Sequence, residues 1–266
     1  MSEGSTSHPK KTSRKAGKTK SPAKEFPPIL SDLDLHLFGE GKHYRIYDKL
    51  GAHVMTHDGK RGVTFAVWAP AADRVSVAGN FNSWDATKHP MRSLGTSGVW
   101  ELFVPSLRAG ELYKYVINTA GQEFFKADPY AFMMEVPPDT SSVVFTSNYK
   151  FRDRAWIAKR TKREAWRETL SIYEVHLGSW RRVAEEDNRP MTYRELAPVL
   201  ADYVLENGFT HVEFLPLKEH PYGPSWGYQV SAFYAPSSRY GMPDDFRFLV
   251  DHLHKAGVGV IMDWVP

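Results

Sequence analysis

From Ser171 to Asp263 three short apolar runs alternate with two stretches of helical periodicity, and that order leaves few folds open. The runs are Ser171–His176, Thr210–Pro216 and Val258–Asp263. Between the first two, Leu196, Val199, Leu200, Tyr203 and Val204 share one helical face within Tyr193–Glu206, which stops at Asn207-Gly208. Between the second and third, Phe246, Leu249, Val250 and Leu253 mark another helix. Asp244 or Asp245 is available as its cap and Gly257 as its stop. Strand–helix–strand order implies parallel pairing through right-handed crossovers. A (β/α)8 barrel needs about 250 residues, and a three-stranded parallel sheet keeps both edges open. The expectation for 171–266 is therefore the first three strands and two helices of a truncated barrel, in a chain that reads as a fragment.

The preceding segment, 27–150, follows a different rule. Val63–Trp68, Arg74–Ala78, Val99–Val104, Leu112–Ile117 and Ser142–Phe145 are short runs rich in β-branched and aromatic residues. Gly79-Asn80, Asn82-Ser83 and Ala109-Gly110 separate them as turns. Short strands at this spacing predict an immunoglobulin-like β-sandwich. Residues 151–170 are polar and charged and read as a connector between the two units.

Composition narrows function mainly by exclusion. The chain has no cysteine, so disulfides, thiol catalysis and cysteine-bound metals are ruled out. No apolar run reaches the ~18 residues of a membrane span. The net charge of +3 suggests polyanion binding until its location is checked. Residues 1–25 hold seven basic and two acidic groups, and the remaining 241 hold 27 and 29. The basicity thus belongs to a Ser/Lys/Gly/Pro-rich tail, 1–26, which is expected to be disordered and lacks the apolar core of a secretory signal. A nucleic-acid partner, a membrane partner and a metal are not expected.

The chemistry concentrates in the connection from Pro216 to Asp244. Its 29 residues include Tyr222, Trp226, Tyr228, Phe233, Tyr234 and Tyr240, about 21% aromatic against 14% for the chain, together with His220, Gln229 and Arg239. βα connections of 2–6 residues are usual, and longer ones commonly carry function. Aromatic faces mixed with hydrogen-bonding groups suit a polyhydroxylated ligand. Phe233 and Tyr234 are expected to form the loop's own small core. Asp263 ends the third strand, where a barrel places site residues. His176 ends the first and is more readily read as structural. In the sandwich, Trp84 lies among the turn residues of Gly79–Asp85, where an indole can stack on a sugar ring.

These motifs resemble known families. Phe65–Pro70, Gly79–Asp85 and Leu112-Tyr113-Lys114-Tyr115 resemble the starch- and glycogen-associated sandwich of carbohydrate-binding family 48. That likeness implies glycan contacts at Trp84 and Lys114. The second tryptophan of free-standing members is missing from Gly121-Gln122-Glu123-Phe124. Tyr173–Trp180, Phe209–Pro221, Ser225–Val230, Tyr234–Gly241 and Val260–Pro266 are similar to glycoside hydrolase family 13. Together with Asp34–Gly41 and Lys126–Ala131, they favour its glucan-branching group over debranching and trehalose-releasing relatives.

The resemblance implies an α-glucan partner, no cofactor and a cytoplasmic setting. It implies that Tyr228 lies beneath the reacting sugar, that Asp263 hydrogen-bonds near it, and that Trp226 and Gln229 border it. It places the nucleophile and the general acid beyond Pro266, so no catalytic residue is assigned here. A non-catalytic glycan-binding protein is the contrasting reading, and it gives no role to the strands of 171–263.

Overall fold

The computed structural model describes residues 26–266. The basic tail lies outside the described residues except for Phe26. That ring packs edge-on against Phe103 at 4.7 Å, and the Phe26 carbonyl accepts a 2.8 Å hydrogen bond from Arg92 Nη1.

Helix α1 (Asp32–Gly39) precedes the strands β1 (Gly51–His57), β2 (Lys60–Trp68), β3 (Arg74–Gly79), β4 (Arg92–Ser93), β5 (Val99–Pro105), β6 (Leu112–Thr119), β7 (Gln122–Lys126) and β8 (Ser142–Val143). One antiparallel sheet has the order β1-β2-β5-β4; the other is β3-β6-β7, with β8 also paired to β6. Val63, Phe65 and Val67 of β2 meet Val75 and Val77 of β3 and Tyr113 and Tyr115 of β6 in the core between them. The two-residue side-chain period selects these partners. The outer neighbour Ala66 is buried as well, because Leu30, Leu50 and the apolar side of α1 cover it, and the buried Thr64 donates to His53 O at 3.3 Å.

Asp128 is enclosed beneath this core, accepting from Tyr113 Oη at 2.5 Å, Tyr115 Oη at 3.3 Å and the Tyr130 amide at 2.8 Å. Burial nonetheless pushes its carboxyl up to about 6, against the lowering effect of those donors. A raised folded pKa means that the native state binds the proton more tightly than the unfolded chain does. The associated stability is present below about pH 4 and is lost as pH rises through about 6, a change of about 3 kcal/mol. Urea unfolding of wild type and Asp128→Asn should show the wild type losing that much relative to the variant between pH 4 and 7. A constant difference would contradict the uncompensated burial of Asp128.

Residues 149–156 pack against residues 251–254. Helix α2 (Arg154–Arg160) lays Trp156 flat on His254 at 3.8 Å and 6°. Asp153 Oδ2 pairs with His254 Nδ1 at 2.7 Å. Tyr149 Oη and the Arg152 amide both donate to the buried Asp251, at 2.7 and 2.8 Å.

The remaining elements are β9 (Ile172–Val175), α3 (Leu177–Trp180), β10 (Arg182–Val183), β11 (Arg189–Pro190), α4 (Tyr193–Glu206), β12 (His211–Phe214), β13 (Lys218–Glu219), β14 (Ala232–Pro236), α5 (Pro243–Lys255) and β15 (Gly259–Met262). β12 lies between β9 and β15 and is parallel to both. Leu196, Leu200 and Val204 of α4 and Leu249 and Leu253 of α5 are buried with Val175, Val212 and Phe214 of the sheet. α4 has the expected bounds, with a reciprocal cap between Thr192 and Glu195.

The cap of α5 differs from expectation. Met242 is its N-cap, and Asp245 accepts from the Met242 amide at 3.0 Å from inside the first turn. Asp244 instead accepts from Ser147 Oγ and the Asn148 amide, which ties it to the segment leading into α2. Among the described residues, no helix is long and apolar enough to cross a membrane, and no group of three His, Asp or Glu side chains could hold a metal ion.

Candidate functional site

In the parallel sheet Phe214 is level with Val175 on one side and Met262 on the other, so the three strands end together. The residues that follow them, His176, Leu215-Pro216 and Asp263, therefore share one rim. The Asp263 amide extends the ladder by one bond, donating to Phe214 O at 3.0 Å.

Tyr228 reaches this rim from the connection between β13 and β14, and its hydroxyl donates to Asp263 Oδ2 at 2.7 Å. That bond, followed by burial and the nearby carboxylates of Asp263, Glu174 and Glu213, raises the phenol pKa. Tyr228 is thereby held as a protonated donor. Its approach depends on Gly227, whose φ of +90° suits glycine. A Cβ there would lie 2.2 Å from Pro216 O, so a larger residue would lift the turn off the end of β12.

Trp226 occupies the left-handed region at φ +54° and stacks on His176 at 5.4 Å and 26°. His176 Nδ1 pairs with Ser179 Oγ at 2.8 Å. Burial, and then the neighbouring His220, lower the His176 pKa and favour a neutral ring under the indole. Trp226 and Tyr228 are 55% and 49% exposed, so both present surface to a ligand. Gln229 is exposed beside them.

The other polar groups of this connection work internally. His220 is buried with Nδ1 on Lys218 O at 2.9 Å. Glu219, 3% exposed, accepts from Ser238 N and Oγ, the His220 amide and Arg239 Nη1 at 2.6 to 3.0 Å. Arg239 thus anchors the hairpin from within.

The expected loop core also changes. Phe233 and Tyr234 are partly exposed, and Tyr234 stacks on Tyr130 of the sandwich side at 5.1 Å and 17°. The buried members are Ala232, Ala235 and Tyr240. An irregularity at Lys218/Glu219 shifts the β13–β14 register and breaks the two-residue alternation.

On the sandwich, Asn82 builds the turn that carries Trp84. Its amide group accepts from Gly79 N at 2.9 Å and donates to Val77 O at 3.0 Å. Trp84, at φ +60°, is 37% exposed. Lys114 donates to Thr140 Oγ1 at 2.7 Å. Register places Lys114 opposite Ala78 and Phe125 opposite Val116, so Lys114 and Phe125 project from the same face. Phe125 is an exposed aromatic that the sequence reading passed over. Ala120 and Gly121, both at positive φ, form a two-residue turn between Thr119 and Gln122. Counting outward from that turn would have found Phe125.

Residues 49–131, within the sandwich, match the family model of carbohydrate-binding module 48 (isoamylase N-terminal domain). The chain is 54% identical over 245 residues to the 1,4-alpha-glucan branching enzyme GlgB of Myxococcus xanthus, covering 91% of this chain and 33% of that protein. It is 57% identical over 242 residues to GlgB 1 of Streptomyces coelicolor, covering 91% and 30%. The crystal structure of a putative alpha amylase from Salmonella typhimurium superposes with a TM-score of 0.64 at 26% identity, over 81% of this chain and 32% of that one. The resemblance to branching enzymes read from the motifs is borne out across the shared residues, and the chain spans about a third of these relatives' length.

Proposed function

We propose that this chain forms the immunoglobulin-like sandwich and the opening strands of the (β/α)8 barrel of a 1,4-α-glucan branching enzyme. The observation that carries the reading is the Tyr228–Asp263 hydrogen bond on the rim shared by three parallel strands, beside the exposed Trp226. Tyr228 offers a ring face to a sugar and, through its hydroxyl, keeps Asp263 oriented. One Asp263 oxygen is engaged by Tyr228, and the other oxygen is suited to accept from a sugar hydroxyl.

The reaction so assigned proceeds with retention. A carboxylate attacks C1 of an α-1,4-linked glucose as an acid protonates the departing O4. A C6 hydroxyl of a glucan, giving its proton to the conjugate base of that acid, then displaces the enzyme carboxylate from C1 to form an α-1,6 branch. Such a pair of carboxyls stands about 5–5.5 Å apart. Asp263 serves the sugar beside that pair rather than forming a bond to it. Alone, the 266-residue chain is expected to bind glucan without transferring it.

Binding tests the reading through the sandwich. Trp84, Lys114 and Phe125 are proposed to hold maltooligosaccharide with a dissociation constant near the millimolar range, about −4 kcal/mol. In affinity electrophoresis through glycogen, Trp84→Ala and Phe125→Ala should each release the retardation of wild type. Equal mobility of all three would assign both rings to packing.

A further inference from the structure

We propose that Lys218 is a positioning residue for Asp263: its buried ammonium pins the segment after β15 and thereby keeps the Asp263 carboxylate on the Tyr228 hydroxyl. Lysines are seldom buried without a partner, yet Lys218 is only 4% exposed. Its Nζ donates to Val265 O at 2.9 Å and lies 3.1 Å from the Trp264 ring centre and 5.4 Å from that of Phe233. Cation–π attraction is strongest where the cation has lost its water, as here.

Lys218 can bear this load because its own strand is fixed. Glu219, the other residue of β13, is clamped by Ser238 and Arg239. The geometry is that of a bracket: Glu219 holds the hairpin, while Lys218 reaches across to residues 264 and 265. Asp263 lies between the last ladder bond, Asp263 N to Phe214 O, and these two contacts. Burial lowers the Lys218 pKa and the Asp263 charge opposes that, so the carboxylate helps keep its own anchor charged. The bearing of this bracket on glucan chemistry rests on the function proposed above; the geometry of the Tyr228–Asp263 pair does not.

The test therefore uses the unliganded chain. The hydroxyl-bearing ring carbon of Tyr228, whose shift reports the hydrogen bond of that hydroxyl, is followed at neutral pH by NMR of the 266-residue chain carrying 13C-labelled tyrosine. Tyr228→Phe assigns the signal and Asp263→Ala gives its position without the bond. In Lys218→Met the Tyr228 signal should move toward the Asp263→Ala position as the bond to Asp263 is lost. Lys218→Arg should keep the wild-type position. A Lys218→Met signal that stays at the wild-type position overturns the proposal. Should Lys218→Met lose the dispersed signal of Tyr193, buried in the same unit, Trp264→Leu decides. That change removes the ring but leaves the carbonyl bond, and it should move the Tyr228 signal the same way by a smaller amount; no movement there also overturns it.

Discussion

In a protein carrying these residues within a complete catalytic barrel, Asp263→Asn is expected to lower glucan-transfer turnover by about 10²- to 10³-fold, about 3–4 kcal/mol of barrier. The Tyr228 hydroxyl donates to one oxygen of Asp263, and the carboxylate places negative charge on the rim proposed above to hold the reacting sugar. An amide can keep the tyrosine bond through its carbonyl. It replaces the second acceptor with a donor and removes the charge that, in the proposed function, stabilises an oxocarbenium-like state. The loss should appear in kcat more than in KM, because the interaction strengthens only as charge develops. Tyr228→Phe keeps the ring and loses the hydroxyl, so it should cost less, about tenfold. Steady-state branching rates for both variants check this, and a change confined to KM would assign Asp263 to ground-state binding.

The second large effect is on stability. Glu219→Ala is expected to destabilise the chain by about 3–5 kcal/mol, since it leaves a largely enclosed cation without its partner. Arg239 would lose its 2.7 Å ion pair and the buried Ser238 amide its acceptor, while the Ser238 hydroxyl would keep only Glu135 O at 3.0 Å. Glu219→Gln keeps the shape and one acceptor oxygen, so about half that cost is expected. Urea unfolding followed by fluorescence and by far-ultraviolet circular dichroism measures both variants. A cost below about 1 kcal/mol for Glu219→Ala would show that the hairpin carrying Tyr228 is held by other contacts.

The parallel unit was legible because periodicity and burial agree in it. Leu196, Leu200 and Val204 repeat at helical spacing and are buried, and the run at His211–Phe214 lies inside a sheet covered by two helices. Helix α1 escaped the sequence reading for the opposite reason. Asp32–Gly39 alternates polar and apolar residues, has no fully buried side chain, and is helical through its Ser31–Asp34 cap and the packing of Leu35 and Phe38. α2 likewise depends on Trp156 meeting His254, a contact about a hundred residues away in sequence that no local pattern encodes.

At the site, Tyr228, Asp263 and Trp226 were legible as residue types at the ends and crossings of strands, and the fold brings all three to one rim. The inward roles of Lys218, Glu219 and Arg239 were not legible. Charged residues on a long connection ordinarily face water, and only the three-dimensional pairing shows that these three do not. Phe125 was missed because attention fell on a tryptophan, whereas the register of β6 and β7 selects the position rather than the residue type.

The most direct measurement joins this chain, through Pro266, to the remaining part of the Myxococcus xanthus relative, with which it is 54% identical. The purified chimera is then assayed on amylose by iodine staining, by reducing ends and by isoamylase-released chains. The account predicts that the 266-residue chain alone leaves amylose unchanged. The chimera should lower the iodine absorbance with new α-1,6 linkages and few new reducing ends, and Asp263→Asn should remove about 99% or more of that rate. A folded chimera that only hydrolyses amylose, or whose branching rate is indifferent to Asp263→Asn, would contradict it.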